Sequence, residues 1–235
     1  MQSLPVNEML PSVQAKTREQ ATYEVLRQAI VAGRWAPGTS LVGSRLADEI
    51  GVSRITIANA LKRLAGEGFV ETTPHKGAVV ARLDPAVVRE IYLMRAALEA
   101  LAASEAATRM DHSDLERLHA RNAAIAAADA SGADMREVRQ LDREFHEELR
   151  SLSGMPTLAR TLLNLADQCE GYRARLLDTT SLVRPSEQRH ARLLDALACH
   201  DGELAGAAMQ AHISEGLDVL LQVIGAQQAE GTRSS

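Results

Sequence analysis

Between Thr17 and Ala32 the apolar residues Ala21, Val25, Leu26, Ala29 and Ile30 recur every three to four positions, as on one face of a helix. The pattern stops at GRWAPG, where Gly33 and Pro37 are breakers. Leu46, Ala47 and Ile50 mark a short second helix over 44–50. GVS follows: Gly51 suits a tight turn, Val52 can bury and Ser53 can cap a third helix. That helix turns Ile57, Ala60, Leu61 and Leu64 inward and ends near Gly66–Gly68. FVETT and AVVARL then read as two strands around the tip PHKG. Helix, helix, turn, helix, hairpin is the order of a winged helix-turn-helix. At LDP the period changes for good. Asp84 caps and Pro85 opens the first of about six helices, near 85–109, 113–130, 134–152, 156–178, 186–200 and 202–224. Ser113 with Glu116 and Asp134 with Glu137 have capping-box spacing. The expected fold is mainly α: a winged helix-turn-helix over 16–82, a hinge at 83–85 and an antiparallel helical bundle over 86–225. Residues 1–15 and 226–235 are expected to be tails.

Composition refines this picture. Hydrophobic residues make up 46% of the chain but aromatics only 3%, so the core must be built from Ala, Leu, Val and Ile. No apolar run reaches the roughly 18 residues of a membrane span. No basic segment precedes an apolar block at the N-terminus, and Cys169 and Cys199 form no CxxC. A cytoplasmic protein with reduced thiols is expected, without a membrane partner. Charge is uneven. Residues 1–83 carry 10 Lys+Arg against 7 Asp+Glu, a balance of +3, and the remainder carries 16 against 24, a balance of −8. A basic front and an acidic back fit a DNA-facing domain followed by one with another task.

In a helix-turn-helix the start of the second helix enters the major groove. Here that start is SRITIANALKRL, which leaves Arg54, Thr56, Ala58, Asn59, Lys62 and Arg63 outward. Ser53 and Arg54 suit phosphate or guanine, Asn59 can pair with adenine, and Thr56 can touch a thymine methyl. At the wing, His75, Lys76 and Gly77 form a probe for the backbone or minor groove.

PGTSL and LADEIGVSRITIANALKRLAGEGFVETTPHKGAVV resemble the N-terminal domain of GntR-family bacterial transcription regulators over about residues 18–82. Members commonly read SRTPVREAL. Thr56 stands where proline is usual, Ala58 and Asn59 where Arg-Glu is usual, and Gly43 and Ser44 where Glu and a basic residue are frequent. The arginine missing at Ala58 often contacts bases in the family.

In the second half, Asp142 and His146 lie one helical turn apart in LDREFHEELR, beside the stripe Leu141, Phe145 and Leu149. Such a pair can hold a metal ion, and equally a core-edge histidine can be a hydrogen-bonded structural residue. His190 heads the stripe Leu193, Leu194 and Leu197, and His212 lies three residues after Met209. The four residues would converge if their helices packed round one centre, and their donors suit Zn²⁺, Ni²⁺, Mn²⁺ or Fe²⁺. His112, His119 and His200 read as surface or capping residues. Arg95 lies inward with Ile91, Leu98 and Ala102. It can pair with Glu99 or Asp142, or face a ligand.

LDREFHEEL, SEQRHARLLDAL and AAMQAHI resemble the helical effector-binding domain called FCD, of the FadR-like branch of the GntR family, over about residues 86–225. Its motif of Asp-x3-His, a histidine about 44 residues on and another about 22 further binds a divalent metal. Here those positions are Asp142, His146, His190 and His212. The helix count resembles the VanR-like subgroup. The resemblance implies an FCD-mediated homodimer on a palindromic double-stranded operator, and a small organic acid as effector. It also implies a ligand-facing Arg95, with Tyr172 and Arg173 as further pocket candidates, and zinc as the first choice of metal. A repressor, not an enzyme, is expected. The alternatives are a direct metal sensor without organic ligand and, lacking a paired general base, nucleophile or lid, a helical metalloenzyme.

Because Ala58 and Asn59 replace Arg-Glu, the operator is expected to differ from the common family half-site, with Asn59 or Thr56 doing part of the reading. Selection from random DNA should return a distinct half-site; recovery of the ordinary one would refute this assignment of readers.

Overall fold

The structure is a computed structural model that describes residues 18–73, 77–82, 84–177 and 187–233. The N-terminal domain comprises α1 (Arg18–Val31), β1 (Ser40–Leu41), α2 (Gly43–Ile50), α3 (Arg54–Gly66), β2 (Val70–Thr73) and β3 (Gly77–Val80). The turn between α2 and α3 follows from its residues. Gly51 takes φ 75°, and its N–H donates to Ala47 O. Ser53 then caps α3, its side chain accepting from the Thr56 N–H. Leu26, Ile30, Leu46, Ile57, Leu64 and Phe69 close the core beneath this turn. The sheet has the order β1-β3-β2, both pairs antiparallel. The hairpin strands were expected; β1 was not, because two residues are too few to show a period.

The C-terminal domain contains α4 (Pro85–Arg109), α5 (His112–Ala130), α6 (Met135–Leu152), α7 (Pro156–Leu177), α8 (Glu187–Ala198) and α9 (Gly202–Arg233). Asp84 caps α4, with Pro85 at its start. The cap expected at Ser113 lies instead at Asp111, which accepts from the Asp114 N–H while Asp114 accepts from the Asp111 N–H. Met110, 5% exposed, ends α4 in the core, so the chain must restart at once, and Asp111 is the first side chain able to cap it. Asp134 caps α6 as expected, accepting from the Arg136 N–H. The last helix continues to Arg233, past the end at 224 read from the periodicity. Ala226, Gln227, Gln228, Ala229 and Glu230 include no helix breaker to stop it.

The domain is built round α4 and α9, its most extensively packed pair. A Cβ on Gly202 would stand 2.8 Å from Ser104 Oγ, and one on Gly206 3.2 Å from Ala100 O. Gly216 faces Tyr92. As α9 ascends, its neighbours on α4 descend, so the two run antiparallel. Missing side chains let the backbones close, and the buried Ala96, Ala103, Ala106 and Ala107 continue the seam on α4. Phe145, Leu149, Leu193, Leu197, Met209 and Ile213 bring α6, α8 and α9 into the same core. Among the described residues, no helix is long and apolar enough to cross a membrane.

Candidate metal centre and DNA-facing surface

Three buried histidines meet inside the C-terminal domain. His146 comes from α6, His190 from α8 and His212 from α9, and each offers a ring nitrogen within 4.8 Å of the others'. The Nε2 atoms of His146 and His212 are 3.1 Å apart. Asp142 Oδ1, one turn before His146, lies 3.5 Å from His190 Nε2. The four residues singled out in the sequence therefore share one centre. Phe145 fixes part of it by stacking on His190, centroid to centroid 4.1 Å and 13° from parallel. The His190 Nδ1–H donates to Asn122 Oδ1 at 3.2 Å. That bond leaves Nε2, which faces Asp142, as the lone-pair nitrogen, the usual arrangement behind a histidine ligand. Asn122 was missed in the sequence, since nothing on α5 alone points it at α8.

The donors fit a divalent cation. Two nitrogens on one metal at about 2.0–2.1 Å stand roughly 2.9–3.3 Å apart in octahedral or tetrahedral geometry. His146 Nδ1 is buried with no hydrogen-bond partner among the described residues. Burial, above all, pushes the His146 imidazole well below its ordinary pKa. Asp142 opposes the shift, while His190, Arg150 and Arg95 reinforce it. A neutral imidazole is the form that binds metal.

Beside this centre lies a cavity of about 30 Å³, lined by Asp142, His146, Glu170, Leu163, Ala166, Arg95, Arg139, Arg143, Arg150 and Arg173. Arg150 is anchored by Glu99, 1% exposed, through Nε to Oε2 (3.0 Å) and Nη2 to Oε1 (2.5 Å). Arg95 reaches the same carboxylate at 3.6 Å and stands over the Tyr92 ring at 4.9 Å. Its Nε is buried without a hydrogen-bond partner among the described residues. The expected Glu99 pairing and a cavity-facing role thus coexist. Glu170 joins Arg139 (3.2 Å) to Arg173 (3.2 Å). The side chain of Tyr172 lies outside what is described. Arg139, Arg143 and Arg150 were missed. The signal was present, since 139, 142, 143, 146 and 150 recur at helical spacing in one segment.

On the N-terminal domain Ser53, Arg54, Asn59 and Lys62 are exposed, and Thr56 is half-buried. The Ser53 and Thr56 hydroxyls bond each other at 2.8 Å, so both also brace the helix start. Ile55, 73% exposed, joins this surface and was not singled out in the sequence. Arg63 is drawn off it, donating to Glu67 and Gln20 and lying 3.6 Å over the Tyr23 ring. Gly77 is exposed at the start of β3, while His75 and Lys76 lie outside the described residues.

Residues 18–80 match the family model "Bacterial regulatory proteins, gntR family", and residues 90–215 match that of the FCD domain. The chain belongs to the GntR family, with a C-terminal FCD domain. This GntR-family chain is 30% identical over 206 residues to the Nta operon transcriptional regulator of Aminobacter aminovorans, covering 87% of this chain and 96% of that protein. It is 28% identical over 200 residues to the HTH-type transcriptional repressor RspR of Escherichia coli, covering 83% and 86%. Its fold is that of McbR/YncC of Escherichia coli, with a TM-score of 0.76 at 22% identity over 87% of this chain and 97% of the other. The chain is accordingly a DNA-binding transcription regulator and not an enzyme.

The buried His146 makes stability pH-dependent. Its folded pKa is depressed, so between that value and about 6.5 the unfolded chain binds a proton that the folded chain does not. Its contribution is complete above about pH 6.5 and declines as pH falls, by about 1.4 kcal/mol per unit for one proton. In metal-free protein, urea midpoints should fall from pH 7 to pH 5, and more shallowly in His146→Gln. Parallel slopes in the two proteins would count against a neutral buried imidazole.

Proposed function

We propose that the chain is a ligand-responsive repressor whose C-terminal domain senses a small carboxylate beside a divalent metal. The observation that carries this reading is the cavity wall: five arginines line a space that Asp142 and His146 also line. Against them stand Asp142 and Glu170 on the wall, Glu99 behind it on Arg150, and Asp167 and Glu147 on Arg143. Arg139, Arg143, Arg150 and Arg173 each have a carboxylate within 3.2 Å, whereas Arg95 reaches one only at 3.6 Å, and a buried guanidinium so loosely paired is one that an anionic ligand would relieve. Asp142, His146, His190 and His212 would hold the metal, zinc first and nickel, manganese or iron as alternatives. A bound metal supplies a Lewis-acidic position for a ligand carboxylate or hydroxyl. Arg95, whose Nε has no partner among the described residues, and Arg173 would bind the acid's charge.

DNA reading is assigned to Ser53, Arg54, Thr56, Asn59 and Lys62 at the start of α3, with His75, Lys76 and Gly77 at the wing. Repression agrees with the name of the relative RspR. The small cavity favours one further reading. About 30 Å³ is roughly the share of a single water in the liquid. It admits an ion without rearrangement but an organic acid only after the wall opens, so direct metal sensing is the alternative.

The functional unit is a homodimer in this reading. Val87, Met94 and Leu101 are exposed apolar residues seven apart on α4, flanked by Leu93. A stripe of that period is what a second helix covers, and a palindromic operator calls for two-fold symmetry.

A thermal-shift screen of zinc-loaded protein against small mono-, di- and hydroxy-acids should yield at least one that raises Tm and changes operator affinity. Arg95→Ala should abolish both effects. If no acid stabilises the protein while zinc alone changes operator affinity, the direct metal-sensor reading replaces this one. Met94→Asp should convert the dimer to monomer in sedimentation and weaken operator binding at least tenfold; a dimer that survives both Met94→Asp and Leu101→Asp places the interface elsewhere.

A further inference from the structure

Asp167 on α7 is a carboxylate whose side chain is 1% exposed. Its Oδ2 lies 2.5 Å from Nη1 of Arg27, on α1 of the DNA-binding domain, and its Oδ1 accepts from Nη1 of Arg143, on α6. One buried anion is thus held between guanidiniums of the two domains. Arg27 is itself largely buried, with its guanidinium 5.0 Å above the Phe69 ring in the winged-helix core. Next along α7, Gln168 packs against Gly68, where a Cβ would stand 3.1 Å from Gln168 Oε1. Adjacent residues of α7 therefore touch both α1 and the segment leading from α3 into β2. Around them is a cleft of about 560 Å³ that Arg27, Gln28 and Val31 line from one side, and Arg139, Arg143 and Asp167 from the other.

Desolvating a carboxylate costs several kcal/mol, so Asp167 is tolerable inside only while its cations are in place. Arg27 meets that need only when α1 is docked. Arg143 has a second tie: it follows Asp142 directly and also lines the cavity beside His146. We propose that Asp167 is the positioning residue that sets the orientation of the DNA-binding domain on the helical domain, and that Arg143 links this orientation to the helix carrying Asp142 and His146. In a dimer that orientation fixes the separation of the two recognition helices, and hence the half-site spacing the protein accepts. The idea deepens the sensing mechanism proposed above, but docking is measurable with no ligand added, so the two can fail separately.

The test uses full-length protein without added ligand. Half-sites selected from random DNA by the unaltered protein are placed at a series of spacings, and hydrogen exchange is followed across α1 and α7. Arg27→Met should raise exchange on the α1–α7 face about tenfold and flatten the spacing preference while leaving the selected half-site sequence unchanged. Arg27→Lys, which keeps the charge, should restore most of both. Arg143→Met should loosen α1 as well, although the substituted residue belongs to the other domain. Should Asp167→Asn fail to fold, the two Arg27 variants still decide the matter. Unchanged exchange and spacing in Arg27→Met would overturn the proposal, as would loss of half-site sequence preference, which signals an unfolded DNA-binding domain. An Arg143→Met protein with unaltered exchange in α1 would remove the link to α6.

Discussion

The structure depends on how buried charge is balanced inside a bundle of small side chains. Glu99, on α4 of the inner helix pair, is almost fully enclosed and holds Arg150 through both oxygens. That bond joins α4 to α6 at the floor of the cavity. Removing one partner of such a pair typically costs about 3–5 kcal/mol, because the survivor is left charged and dry. Exchanging both for apolar residues need not be costly, so stability alone does not explain the pair. Its consequence is geometric. With Glu99 committed to Arg150 by two bonds and to Arg95 by a longer contact, Arg95 Nε is left without a hydrogen-bond partner among the described residues.

The glycine and alanine seam between α4 and α9 serves the same arrangement. Close backbones bring His212 of α9 near the layer occupied by Arg95 of α4 and His146 of α6. A seam of leucines would hold the helices farther apart, since interaxial distance follows side-chain size. The near absence of aromatics has its counterpart at Phe145, which is fully buried and stacked on His190. One flat ring orients another where aliphatic side chains would leave the imidazole free to turn.

Most of the fold was legible because helices carry long periodic signals. The limits of α4, α5 and α6, the start of α7 and the end of α8 read from breakers and caps agree with the structure to within two residues; the expected end of α7 at 178 and start of α8 at 186 lie outside the described residues. The departures have local causes. β1 is two residues long, and the cap of α5 was decided by the burial of Met110, which periodicity alone does not reveal. At the site, Asp142, His146, His190 and His212 were legible because the first two border an apolar stripe, the histidines at 190 and 212 lie on inward faces, and all four have the spacing of the FCD motif. The arginines of α6 were not singled out, since an arginine at the edge of a stripe reads as solvated until the facing helix is placed. Asn122 depends on the packing of α5 against α8, which no segment encodes by itself.

The order of residues on α6 has a mechanical meaning. Successive residues of a helix point about 100° apart, so Asp142 and Arg143 face different neighbours from one turn of backbone. Asp142 looks toward His190, whereas Arg143 reaches Asp167, which in turn holds Arg27 of the other domain. A helix moves as a unit, so a displacement that improves the geometry at Asp142 must be felt at Arg143. Only a ligand that favours one position of α6 over another can exploit this, because equal affinity for both shifts nothing. Coupling between the buried centre and the DNA-binding domain therefore needs no long chain of contacts. It requires one rigid helix and one carboxylate shared across the domain boundary.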